Sequence, residues 1–154
     1  MKTLKYWTLF WALVFIIVCG RTMASSIKLR VTNYQPTKKQ CGNTRGITTS
    51  GHKAQEGFCA ADWRHYLPGT IIKLDSGEHL IVADTGRKVK GKYHIDRFNP
   101  RRRPYSTTSR GTIVHRPRTK QAYKAVKEAI VVKQKLILRK KQNNARVLPS
   151  SPSF

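Results

Sequence analysis

At 154 residues the chain has room for one domain of ordinary size and a tail. Its formal charge of +24, from 31 Lys+Arg against 7 Asp+Glu, points to anionic partners and says nothing of the fold. Acids this scarce are worth locating one by one: six of the seven lie between positions 56 and 96.

Taken in chain order, the first segment reads as an export signal. Lys2 and Lys5 precede an uncharged, mostly apolar run of 14 residues, Tyr6 to Cys19, and Thr22-Met23-Ala24 then places small residues before a cut ahead of Ser25. The run is short for a bilayer span, which needs ~20 apolar residues. The expectation is a signal peptide over 1–24, with an uncleaved anchor as the alternative. The protein is then exported to the periplasm, cell wall or medium, or held at the membrane, and its mature charge is +21. Cys19 leaves with the signal, so Cys41 and Cys59 remain as an even pair, expected as a disulfide in an oxidising compartment. Such a loop contributes roughly 3 kcal/mol in the chain-entropy model. Two buried thiols are the alternative. The spacing of the cysteines with His52 or His65 fits no common zinc pattern, and no metal is expected.

In the mature chain Ile27, Leu29 and Val31 alternate with polar residues, the period of a half-buried strand. Residues 35–57 carry no sustained apolar period and read as a long loop. Phe58 to Ala61 is a short apolar run ending at Asp62. Thr70 to Leu74 and His79 to Ala83 flank the turn Asp75-Ser76-Gly77, which predicts a hairpin. A further strand is predicted around Tyr93 to Phe98. Short strands with regular turns make the fold class mainly β, a small barrel or sandwich.

After Asn99-Pro100 the composition changes. Residues 101–154 carry 15 Lys+Arg and one acid, against 13 and six over 25–100, so the excess charge sits in the last third of the chain. Ala122, Val126, Ala129 and Ile130 recur at helical spacing and predict an amphipathic helix. Val131 to Leu138 either continues it or forms a closing strand. Residues 139–154 are expected to be a basic, disordered tail after a barrel domain over 25–138.

Three aspartates each close a short apolar run: Ala60-Ala61-Asp62, Val82-Ala83-Asp84 and His94-Ile95-Asp96. Carboxyls gathered at the mouth of a barrel repel one another, and at least one then keeps its proton to higher pH. General acid chemistry needs such a group, since a free Asp titrates near ~3.9.

This stretch, about 50–98, resembles the 3D domain, named for its three aspartates. The domain occurs in lytic transglycosylases of the MltA type and in small stationary-phase survival proteins of Gram-positive bacteria. The likeness rests on Ser50-Gly51, on Asp62 ahead of Pro68-Gly69-Thr70, on Ala83-Asp84-Thr85-Gly86, and on Asp96 after Lys90-Gly91. The resemblance implies a six-stranded double-psi β-barrel with one or two short helices, acting without a cofactor and as a monomer. It implies cleavage of the MurNAc-GlcNAc bond of peptidoglycan with a 1,6-anhydro product. Asp96 would be the single acid and base, with Asp84 and Asp62 completing a carboxylate cluster. Thr85, Gly86, Lys90, His94 and Trp63 would line the substrate.

Several residues depart from the family pattern. Trp63 stands where proline is common; it either stacks on sugar or fills the core. His94 either lines the Asp96 pocket or lies at the surface. Arg87, Lys88 and Arg97 bring cations near the aspartates, which favours ionised carboxyls over an acid. Arg97, one residue from Asp96 on a strand, is expected to face the other way. Two functions of other classes therefore stand beside the enzyme. One is a non-catalytic glycan-binding module held to anionic wall polymers or a lipid surface by the basic tail. The other is a secreted nucleic-acid-binding protein, which accounts for the charge but not the aspartates, and no dedicated nucleic-acid site is expected.

Overall fold

The computed structural model describes residues 25–35, 46–101 and 106–147; the expected signal, Cys41 and the chain end from 148 lie outside the described residues. Six strands form: β1 (Ser26–Tyr34), β2 (Phe58–Ala61), β3 (Ile71–Leu74), β4 (His79–Asp84), β5 (His94–Phe98) and β6 (Ser106–His115). They close into a ring in the order β1-β5-β2-β4-β3-β6. The β1–β5 and β2–β4 pairs are parallel and the other four antiparallel. The chain is thus mainly β, as its alternating runs predict.

Period-two alternation fills the interior. Leu29 and Val31, Cys59 and Ala61, Ile72 and Leu74, Leu80 and Val82, and Ile95 meet in one buried cluster. Full burial of an aliphatic side chain of this size stabilises by roughly 1.5–3 kcal/mol. On β6 a Cβ at Gly111 would run into the side chains of Leu29 and Ile72, so glycine is what lets this strand complete the ring.

The closing strand is β6, not residues 131–138. Its burial gives no alternation to read, because Gly111 alone is buried along its length. What remains legible is the β-branched content of Thr107, Thr108, Thr112, Ile113 and Val114.

One helix, α1 (Ala122–Val147), follows. Its 26 residues correct the expectation of short helices and run through the expected boundary at 138, so that 139–147 is helical. Arg139, Lys140, Lys141, Gln142 and Ala145 are good helix formers, and no Gly or Pro interrupts them before Pro149. Val126 and Ala129 pack α1 on the outer face of the ring, against Phe58, Ile71, Ile81 and Ala83. The fit depends on Gly69. Its φ of +86° suits glycine, and a Cβ there would sit 2.5 Å from the Ala125 carbonyl oxygen. Among the described residues no helix is long and apolar enough to cross a membrane.

Candidate active site

The ladder sets the site. On β5 Asp96 lies opposite Thr32 of β1 on one side and Ala60 of β2 on the other. Ala60 in turn faces Asp84 of β4, where the register shifts between Cys59 and Ala60. Val31, Ile95 and Ala61, one step along each strand, belong to the interior, so Thr32, Asp96 and Ala60 face outward. The pair of aspartates thus flanks one strand on the outer wall of the ring, with backbones ~10 Å apart at two strand spacings.

Asp96 is half-buried at a cleft of about 540 Å³, with Asn33 and Tyr34 on one side and the turn Gly86–Val89 on the other. The Thr32 hydroxyl donates to Asp96 Oδ1 at 2.7 Å. Burial pushes the Asp96 carboxyl above its ordinary value; the Thr32 bond and the His94 charge pull against this, and the Asp84 charge adds to it. Arg87 and Lys88 line the same cleft with exposed side chains.

Asp84 is fixed by a loop. Its Oδ1 accepts from the Thr49 amide at 2.9 Å, the Thr49 hydroxyl at 2.6 Å and the Thr85 amide at 2.9 Å. Thr49 is held in turn by a bridge between Ile47 and Lys53 and by the Ser50 amide on the Ala83 carbonyl. His52, from the same turn, stacks on Tyr123 of α1 at 4.2 Å between ring centres. The sequence marks Ser50-Gly51 but not Thr49 or Thr32. Both are single hydroxyls in polar surroundings, and only strand pairing shows what they touch.

Asp62 stands apart from this pair. It is buried, with Arg64 Nη2 at 2.6 Å and Nε at 3.0 Å from its carboxyl, and the Gly91 amide donates to it at 2.9 Å. The Arg64 hydrogen bonds, then that of Gly91, hold the carboxyl well below the usual range. Its carbonyl accepts from the His65 and Tyr66 amides. Asp62 therefore clamps the turn after β2 to the loop carrying Lys90-Gly91, and its contacts are with these groups.

The other expected residues divide. Thr85 and Gly86 form the turn between Asp84 and the cleft. His94 Nε2 lies 3.0 Å from the Thr32 hydroxyl. Trp63 packs against the interior cluster and donates Nε1–H to the Asp84 carbonyl at 2.9 Å, so it positions β4 from within. Lys90 is exposed. The Arg97 guanidinium pairs with Glu78 at 2.6 Å and with Asn33 Oδ1 at 3.0 Å. Cys59 is a buried free thiol, pushed far up by burial, while Cys41 lies outside the described residues. Among the described residues no group of three His, Cys, Asp or Glu is placed to hold a metal. Compared with known proteins, the chain matches no family model and no curated protein.

Proposed function

We propose that this chain is a lytic transglycosylase of peptidoglycan built on a double-psi barrel of the 3D type. One observation carries the reading: Asp96 sits half-buried in an open cleft, its carboxyl shifted toward the protonated form, one strand away from Asp84. The interleaved parallel pairs of the ring and the aspartate motifs support the same reading.

Asp96 gives its proton to the glycosidic oxygen between C1 of MurNAc and C4 of GlcNAc. The C1–O bond breaks, GlcNAc leaves with its hydroxyl, and positive charge builds on the MurNAc ring. Asp84 supplies negative charge on that side. The C6 hydroxyl oxygen of MurNAc attacks C1, and its proton returns to the ionised Asp96. The product is the 1,6-anhydro sugar, and no water is consumed, unlike the two-carboxylate hydrolytic scheme. Arg87 and Lys88 at the cleft suit the carboxylates of the peptide stem. Asp62 serves as a positioning residue.

The test is incubation of the purified chain with sacculi and mass analysis of the soluble products. Anhydro-muropeptides are expected, and Asp96→Asn should reduce them at least ~100-fold. Sacculus binding without product would replace the enzyme by a glycan-binding module.

A further inference from the structure

The imidazole beside the acid is joined to it. His94 Nε2 lies 3.0 Å from Thr32 Oγ1, and Thr32 Oγ1 lies 2.7 Å from Asp96 Oδ1. The ring also bonds to the Lys88 backbone carbonyl, which calls for an N–H, and Nδ1 is the nitrogen left for it. A threonine hydroxyl carries one hydrogen, which restricts the chain of bonds to two states. With His94 doubly protonated, Nε2–H donates to Thr32 and Thr32 donates to an ionised Asp96. With His94 neutral, Nε2 must accept from Thr32, and Thr32 must then accept from a protonated Asp96. The two states hold the same protons in different places.

We infer that Thr32 and His94 form a proton relay with Asp96, in which His94 is a positioning residue that shares one proton with the Asp96 carboxyl through the Thr32 hydroxyl. This rests on the acid/base reading of Asp96. Burial and the Arg30 charge both lower the affinity of His94 for a second proton, while burial raises that of Asp96. The other charged groups facing the relay are Asp84 across Ala60 and Arg87 and Lys88 at the cleft. An ionised Asp96 favours the imidazolium and the imidazolium favours the ionised carboxyl, so the two groups titrate together.

The experiment follows His94 ring nitrogens and the Asp96 carboxyl carbon by NMR from pH 4 to 9 in the full chain. The relay requires the Nδ1–H tautomer at neutral pH and a joint titration of both groups. His94→Gln should move the Asp96 midpoint by at least about one unit. Thr32→Val should separate the two titrations, and Thr32→Ser should restore them, each with an unchanged amide spectrum. An Nε2–H tautomer, or an Asp96 midpoint indifferent to His94→Gln, overturns the relay. On sacculi, His94→Gln should shift the pH profile of cleavage. Absence of cleavage by the native chain would sink the enzyme reading, whereas the NMR coupling is read without substrate and judges the relay alone.

Discussion

A carboxyl that loses water on folding and one that gains a guanidinium shift in opposite directions, and Asp96 and Asp62 do so in one small ring. The raised Asp96 value means that the folded state binds this proton more tightly than the unfolded chain. Stability from that group is present below its unfolded value, near ~3.9, and is lost as pH rises through the folded one. Asp96→Asn should therefore raise the melting temperature at pH 7 and leave it nearly unchanged at pH 3. Asp62 is the reverse case. Its depressed value contributes stability above about pH 4, lost as pH falls below it. Asp62→Asn should lower the melting temperature at pH 7, and the gap should narrow with acid. Thermal scans of both variants across this range check the two signs against each other. The sequence named all three aspartates and, through the resemblance, put Asp96 at the centre, but it grouped Asp62 in the same cluster. What divides Asp62 from the others is Arg64, two residues away and pointing back at it, a rotamer choice that no spacing rule contains.

At the scale of elements, α1 reaches the site through two contacts. Val126 and Ala129 press on the outer face of β4, and Tyr123 stacks on His52 in the turn that holds Asp84. Gly69→Ala would put a methyl against the Ala125 backbone and force a residue with a side chain into a left-handed conformation. A cost of roughly 1–3 kcal/mol is expected from the backbone conformation alone, measured by denaturant unfolding. Tyr123→Ala should loosen the His52 turn while leaving most of the helix contact intact. Cleavage should then fall several-fold with little change in stability, read by comparing sacculus turnover with the unfolding midpoint. Strands with one face in the core were legible in the sequence because alternation writes burial into residue order. β6 was not, since its burial gives no alternation, and the end of α1 was not, because lysine and glutamine suit a helix and a disordered tail alike.

For the molecule as a whole, the distribution of charge matters more than its sum. Two acids of the ring pair internally, Asp62 with Arg64 and Glu78 with Arg97, while exposed Arg139, Lys140 and Lys141 line the surface of α1. Retention on sacculi should accordingly weaken as salt rises from 0.05 to 0.5 M, where the screening length falls well below about 10 Å. A co-sedimentation series measures it.

The ring order carries one more consequence. β1 is the first strand to be made, yet its neighbours are β5 and β6, the last two. Until residue 115 exists the opening segment has only one of its two berths, and both it and β3 keep unfilled backbone hydrogen bonds. Assembly must then wait for partners remote in the chain, the arrangement that makes folding slow. A chain cut short before β6 would expose unpaired strand margins, a surface open to pairing with other copies.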